Sequence, residues 1–238
     1  MKKLTTILLA ATAVVGSVSC KKDHVGEGPV TSQTRDIQNF TGIELKMNGN
    51  VYYTKSETVK LEVTAPQSIH SMLETGVING KLLIRYGNGK NYDNDASIRI
   101  NVSAPDVNTF LLNTSGSIYV MNDIHPDNLL LRSSGSGDIS FQKVFTGNID
   151  AESTQSGRIT AGSGTVISEK LKTDGSGKID LSGLAAKTVT AHTIGSGDIR
   201  VKVSDNLDVR IDGSGSVYFS GNPYISTHIS GSGHLVRL

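Results

Sequence analysis

The chain has 238 residues, a formal net charge of +1, and only 19% charged and 5% aromatic residues. This near-neutral balance, without a dense basic run or a group of base-stacking aromatic residues, argues against a nucleic-acid partner.

The first twenty residues, MKKLTTILLAATAVVGSVSC, have a basic start, an apolar run and then small residues before a cysteine. This order predicts a secretory signal peptide over 1–19, because the apolar run is too short to span a bilayer comfortably. The end of the segment resembles a bacterial lipoprotein signal, although Ser17 replaces the usual leucine. Cys20 is the only cysteine, and an unpaired thiol in an oxidising compartment is a liability unless it is modified. We therefore predict attachment of acyl chains such as palmitate at Cys20, which anchors the chain to an envelope membrane, the outer one by preference; ordinary secretion is the alternative.

After the anchor, residues 20–34 are polar and contain Gly and Pro, which predicts a flexible tether. Residues 35–109 alternate apolar and polar positions between Gly, Asn and Pro breaks, which predicts a β-rich N-terminal part of the fold or a cap. Within it, NGNVYY is similar to a degenerate corner of the repeat described below. The segment PQSIHSMLETG (66–76) is the one stretch that predicts a short helix, which would cover the open end of the sheet.

Residues 110–238 repeat the pentapeptide GSGDI with variations, at steps of 18 to 21 residues. A period of about 20 residues is too short for paired-helix solenoids and predicts one coil of an all-β, right-handed parallel β-helix, or β-solenoid. We expect the repeated glycines to form structural corners that need a positive φ. These corner residues are Gly116, Gly137, Gly157, Gly177, Gly197, Gly215 and Gly233.

Stacking of the coils predicts an aliphatic core column after each glycine and an outward column of changing polarity. The outward series places Asp138 beside Arg158 and Lys178 beside Asp198 on adjacent coils. These opposite charges favour exposed cross-strand pairs of small energy. Glu169 interrupts the apolar pattern, because it stands where other repeats have leucine or valine, and predicts a bulge or a shifted coil.

The glycine–serine corners, together with the N-terminal segments TGIELKMNGNVYYT and LEVTAPQSI, resemble the head GIN domain family, whose description is "putative auto-transporter adhesin". The resemblance covers about Ile37 to Leu238. It implies a β-helix exported to the cell envelope, and it carries over no catalytic, metal-binding or cofactor-binding residue.

Enzymatic and metal-binding readings have little support in the sequence. Calcium-binding solenoids repeat aspartates every nine residues, whereas Arg158 and Lys178 occupy that position here in two coils. GSGKI lacks the first glycine and the hydroxyl residue of a phosphate-binding loop. Asp138 and Asp198 lie three coils apart, too far for a glycosidase pair, although Asp198 with Asp180 remains open. The six histidines have no metal-ligand spacing; they are His24, His70, His125, His192, His228 and His234.

Tyrosines are the remaining candidates for a binding surface, because flat rings suit sugars, with core or edge packing as the alternative. Those considered are Tyr52, Tyr53, Tyr86, Tyr92, Tyr218 and Tyr224. The sequence thus favours an envelope-anchored adhesin or a module that binds a glycan or a protein, without a cofactor. The alternatives are a structural envelope component and, less favoured, a polysaccharide-active enzyme.

Overall fold

The computed structural model describes Gly26, residues 28–87 and residues 98–238, and these residues form one sheet of seventeen strands with one short helix. In the N-terminal part the elements are β1 (Val30–Arg35), β2 (Gly42–Leu45), β3 (Asn50–Lys55), β4 (Lys60–Pro66), α1 (Gln67–His70), β5 (Leu73–Ile78), β6 (Lys81–Tyr86) and β7 (Arg99–Ala104). The remaining strands are β8 (Thr109–Leu112), β9 (Ser117–Val120), β10 (Asn128–Ser133), β11 (Asp138–Ser153), β12 (Arg158–Thr173), β13 (Lys178–Thr193), β14 (Ile199–Ile211), β15 (Val217–Ser220), β16 (Tyr224–Ile229) and β17 (Leu235–Arg237).

These strands wind into a β-solenoid of about six turns with coils about 20 residues apart, as the repeat predicts. Strands in successive coils are parallel and in register, so that Ile139 pairs with Ile159 and Ile159 with Ile179. Two long stacks of strands result, and a short third ladder through residues 143–146, 163–166 and 184–186 lies between them. The front stack contains β7, β3, β9, the first parts of β11 to β14, β15 and β17; the rear stack contains β6, β2, β8, β10, the second parts of β11 to β14, and β16.

The first coils are stacked out of sequence order. β2 lies between β6 and β8, and β3 lies between β7 and β9, all in parallel pairing. The coil made by residues 42–55 is therefore enclosed by two coils that come later in the chain. The repeat spacing gave no sign of this arrangement, because the first two coils have no GSG signature.

The N-terminal end is covered by antiparallel strands. β4 pairs with β7, β1 pairs with β4, and β5 pairs with β6. The prediction of a helix over 66–76 is wrong in extent, because α1 is a single turn and Gly76 lies inside β5. The predicted tether also ends too late, since Val30–Arg35 forms the outermost strand of this cap. Antiparallel pairing there leaves no parallel edge for another coil to extend.

The core is a set of apolar columns inside the coils. Ile118, Ile139, Ile159, Ile179 and Ile199 follow one another in register and are fully buried. Burial of each such side chain contributes about 1.5–3 kcal/mol relative to its exposure to water. Aromatic rings also pack inside the coils, where Phe110 contacts Phe141 edge-on at 5.3 Å between centroids.

Glu169 does not produce the predicted bulge. It pairs in register with Ile149 on one side and Val189 on the other, inside the core, and is 1% exposed. Neither carboxyl oxygen has a hydrogen-bond partner, and burial raises the pKa of Glu169 to about 8. The register shifts lie instead between β13 and β14, where the step between corner glycines falls from 20 to 18 residues.

Candidate functional site

The seven repeat glycines lie one above another at the corner that precedes the front stack, and all are buried. A methyl group added at Gly177 would lie 2.7 Å from the Gly157 carbonyl oxygen, and one added at Gly137 would overlap the carbonyl oxygen of Gly116. An added methyl group at Gly116 would in turn overlap the carbonyl oxygen of Gly49, so NGN starts the same column. None of the seven has a positive φ, so the expected conformational reason is wrong. Glycine is needed because adjacent coils approach too closely for a Cβ atom.

The corners set the position of two outward columns, which we call the front face. Each column advances by one strand spacing, about 4.8 Å, per coil. The first column contains Arg99, Asn50, Ser117, Asp138, Arg158, Lys178, Asp198, Ser216 and His234; the second contains Asn101, Tyr52, Tyr119, Ser140, Thr160, Asp180, Arg200 and Tyr218. The predicted neighbours Asp138 and Arg158 are paired in register, and Lys178 Nζ lies 3.7 Å from Asp198 Oδ2.

Aromatic and cationic groups stack at the end of the front face nearest the cap. The Arg99 guanidinium lies 3.8 Å from the ring centroid of Tyr52, and the Tyr52 ring stacks on Tyr119 at 5.2 Å with an interplanar angle of 20°. The stack runs from coil to coil along the solenoid axis. Ser140 comes next in the column, so only a small side chain stands over the free face of the Tyr119 ring.

A recess of about 340 Å³ follows along the same face, lined mainly by Arg158, Thr160, Lys178, Asp180, Asp198 and Arg200. Tyr218 lies beyond Arg200 in the second column, with its ring centroid 5.0 Å from the Arg200 guanidinium carbon. The front face is therefore an open trough with an aromatic ring at each end, hydroxyl groups between them and charges of both signs along its rim.

The carboxylates beside this recess already accept hydrogen bonds, whereas two guanidinium groups have no acceptor. Asp138 Oδ1 accepts a hydrogen bond from the Arg158 backbone N–H (3.2 Å), and Asp180 Oδ1 accepts one from the Ser182 hydroxyl (2.6 Å). Asp198 Oδ1 accepts one from the Ser216 backbone N–H (3.0 Å). Neither the Arg158 nor the Arg200 guanidinium donates a hydrogen bond or forms an ion pair to any residue that the structure describes. The recess thus offers donors to an incoming acceptor.

The described tyrosines among those considered from the sequence lie in three places, the core, the front face and the rear stack. Tyr53 is buried and its hydroxyl donates to the Ala104 carbonyl oxygen at 2.9 Å; burial raises its pKa to about 12. Tyr86 is also in the core, and Tyr92 lies outside the described residues. Tyr52 and Tyr218 lie on the front face, while Tyr224 is 85% exposed on the rear stack.

Tyr119 and Arg99 are front-face residues that the sequence reasoning did not consider. Tyr119 had a signal, because TSGSIYV and GSGSVYF place Tyr119 and Tyr218 at the same position of the repeat. Arg99 had none, since its coil lacks the glycine signature and is stacked out of order.

A second depression, of about 540 Å³, lies at the corner between the front and rear parts of the long strands. Its lining is mostly apolar, with Val166, Ala186 and Val203 at its base, and Ile167 beside it is 57% exposed. Lys187 and Lys202 supply positive charge at its rim.

A histidine, an aspartate and a serine meet on the rear side without forming a catalytic triad. His192 Nε2 and the Ser230 hydroxyl both hydrogen-bond to Asp212, at 2.8 Å each, and no hydrogen bond joins Ser230 to His192. Arg210 Nε donates to the same carboxylate, and these hydrogen bonds, that of Arg210 first, hold the pKa of Asp212 well below its usual range. An ionised, fully bonded carboxylate here serves an ion-pair cluster and activates no nucleophile.

Among the described residues, no group of three or more His, Cys, Asp or Glu side chains could hold a metal ion. His70 is buried with Nε2 3.0 Å from the Thr31 carbonyl oxygen, and the His125 ring stacks on Phe145 at 4.9 Å. His228 and His234 are exposed, and His24 lies outside the described residues.

The model of one protein family matches residues 39–223, and its description is "Putative auto-transporter adhesin, head GIN domain". The chain belongs to this family. No curated protein matches the sequence.

Three solved structures share the fold of this head GIN domain. An adhesin described as putative from Bacteroides fragilis is 24% identical, with a TM-score of 0.85 over 90% of this chain and 99% of that one. A "putative lipid binding protein" from Parabacteroides distasonis is 24% identical, with a TM-score of 0.75 over 90% and 98% of the two chains. A "putative adhesin" from Parabacteroides merdae is 18% identical, with a TM-score of 0.71 over 90% and 98%. These likenesses establish the shared β-solenoid alone.

The predicted anchor of the head GIN domain lies outside the described residues, since Cys20 and the signal peptide are not among them. Within the part of the chain that is described, no helix has the length and apolar character needed to cross a membrane.

Proposed function

We propose that this head GIN domain is a binding module of the cell envelope, anchored by lipid at Cys20, that holds an extended glycan or protein on its front face. The front-face trough carries the proposal, because it combines stacked tyrosine rings, exposed hydroxyls and guanidinium groups without acceptors in one rigid line. Aromatic residues and arginine are the side chains that contribute most often to binding energy at protein surfaces. Membership of a family described as adhesins supports an envelope location.

Binding is tested by saturable retention of the purified chain on a glycan and matrix-protein array, with Tyr119→Ala as the variant. Loss of the outer ring of the stack should weaken retention at least fivefold, since an aromatic contact contributes about 1 kcal/mol or more. Tyr224→Ala is the matched control, because Tyr224 is exposed but lies on the rear stack. Equal weakening by both variants, or no saturable retention of wild type, would contradict the proposal.

Envelope anchoring is tested on intact cells that produce wild type or Cys20→Ala. We expect antibody binding and protease cutting at a site inserted after Cys20 for wild type, and release of Cys20→Ala from the membrane fraction. Protection of wild type until the envelope is opened would instead favour a structural or assembly role among periplasmic partners.

A second candidate function, binding of an anionic amphiphile, is supported by the apolar depression beside Ile167 with Lys187 and Lys202 at its rim. The description of the Parabacteroides distasonis neighbour as lipid binding favours the same idea. Displacement of a fluorescent fatty acid by oleate should then be lost in Ile167→Ser and kept in Ile225→Ser, which changes an exposed isoleucine elsewhere. Unaltered displacement in Ile167→Ser would exclude this depression as the site.

A further inference from the structure

We propose that the front-face recess binds the acidic sugar residues of a polysaccharide, with Arg158 and Arg200 each donating to a carboxylate of the ligand. The inference rests on the proposed function, because it names the ligand class for the same face.

The first argument is the balance of donors and acceptors. The three aspartates of the recess and its rim have hydrogen-bond donors within the protein, and Lys178 has Asp198 at 3.7 Å. The two guanidinium groups keep all their side-chain donors free among the described residues. A guanidinium has five N–H donors in a planar fork that fits a carboxylate with two parallel hydrogen bonds.

The second argument is the separation of the two arginines. Arg158 lies in the first column, and Arg200 lies in the second column two coils further on. The coil that carries Lys178 and Asp180 lies between them. Two strand spacings correspond to about 10 Å along the axis. Because the two arginines stand on different coils, we assign each guanidinium its own acidic group. A ligand with acidic groups repeated along its length meets this requirement when it lies parallel to the solenoid axis.

The third argument separates a glycan from an acidic peptide. An extended peptide binds a sheet by pairing with an unpaired strand edge, but the front strands of β11 to β14 are paired on both sides. What the trough offers is the free ring face of Tyr119, the Arg200 guanidinium stacked over the Tyr218 ring, and the hydroxyls of Ser140 and Thr160 between them. Flat faces pack against the C–H surfaces of sugar rings, and hydroxyls exchange hydrogen bonds with sugar hydroxyls.

The test uses the full mature chain and two probes of equal length, hexagalacturonate and its methyl ester, which differ only at the carboxyl groups, ionised in the first and esterified in the second. Titration calorimetry should give binding of the acid form at least tenfold tighter than binding of the ester. Arg158→Gln and Arg200→Gln should each weaken the acid form about tenfold, as expected for loss of a charged hydrogen bond, and leave the ester unchanged. Arg210→Gln is the control, because it removes an exposed guanidinium that already has Asp212 as its partner.

Equal affinity for acid and ester overturns the proposal. It is also overturned if Arg210→Gln weakens binding as much as Arg158→Gln and Arg200→Gln do, because the attraction would then come from the overall charge. Binding of polyglutamate as tight as that of hexagalacturonate would make the ligand an acidic peptide and also overturn it. In each case, continued Tyr119-dependent retention on neutral glycans would leave the proposed function standing. Thermal unfolding of every variant checks that these exposed substitutions leave the fold intact.

Discussion

At the scale of single residues, Glu169 places an ionisable group in a column that Ile149 and Val189 fill with aliphatic side chains. Its oxygens have no partner, so the carboxyl is buried at a cost that protonation reduces. The unfolded chain ionises this group near 4.5 and the folded chain near 8. The folded protein therefore holds a proton over that interval that the unfolded chain has lost.

We predict that the free energy of unfolding falls as pH rises from about 4.5 to about 8, by up to about 1.4 kcal/mol per pH unit from this residue. Glu169→Gln removes the titration and should show a correspondingly flatter profile, while Glu169→Leu should be more stable than wild type at pH 8. Urea unfolding at several pH values measures both effects, and Glu57→Gln, an exposed carboxyl, should keep the wild-type slope. Parallel profiles for wild type and Glu169→Gln would refute the buried titration.

The corner glycines make a second prediction at this scale. Gly137→Ala puts a methyl group against the Gly116 carbonyl oxygen in the coil before it, so backbone must move. We expect a loss of about 1–3 kcal/mol in thermal or chemical unfolding, the usual cost of forced overpacking. Gly76→Ala is the control, because a methyl group there meets no atom within 4 Å and should change stability by less than about 0.5 kcal/mol. If Gly137→Ala and Gly76→Ala have the same small effect on stability, close stacking of the coils is not the reason for glycine at the corners.

At the scale of elements, the cap holds together through Arg35 at the end of β1. Its Nη1 donates to the Leu73 carbonyl oxygen at 2.6 Å and its Nη2 to the His70 carbonyl oxygen at 2.9 Å, and burial lowers its pKa. One side chain thus connects the outermost strand to α1 and to the start of β5.

Arg35→Met keeps an apolar stem and removes these donors, so it should loosen β1 and β5 by about 1–3 kcal/mol. Hydrogen exchange should become faster in those two strands and stay unchanged in β12 and β13, because each coil contacts only its neighbours. Arg85→Met removes an exposed guanidinium that lies 3.0 Å from Glu74 and should have almost no effect. Exchange that rises throughout the chain would show that the cap and the coils unfold together.

The elements also show what a sequence of this kind predicts and what it does not. The period of the corner glycines predicts the coils from β8 onward and the neighbours across them, because identical positions stack in register. The placement of β2 and β3 between later strands has no local cause, since it depends on pairing between segments far apart in the chain. Glu169 keeps its register because burial of the apolar residues in the same coil contributes more free energy than burial of one carboxyl group costs.

At the scale of the whole molecule, the regular coils are interchangeable units whose stability is close to a sum over neighbours. Deleting residues 158–177 joins Gly157 to Lys178 and stacks Ile179 over Ile139, so we expect a folded, cooperative, shorter solenoid by circular dichroism and thermal melting. Deleting residues 158–167 instead brings rear-stack sequence into the front stack and should abolish cooperative unfolding. Similar behaviour of the two deletions would contradict the one-coil unit.

The position of β2 and β3 between later strands also bears on the order of assembly during synthesis and export. The parallel partners of β2, which are β6 and β8, begin only at Lys81 and Thr109, and those of β3, which are β7 and β9, begin only at Arg99 and Ser117. β2 and β3 are therefore synthesised first and remain unpaired until these later strands are available. From β10 onward, each strand emerges next to a completed template. Local contacts form faster than distant ones. Folding of the N-terminal coils is therefore the slow step, during which unpaired strands are exposed to aggregation, and folding of the GSG repeats is fast.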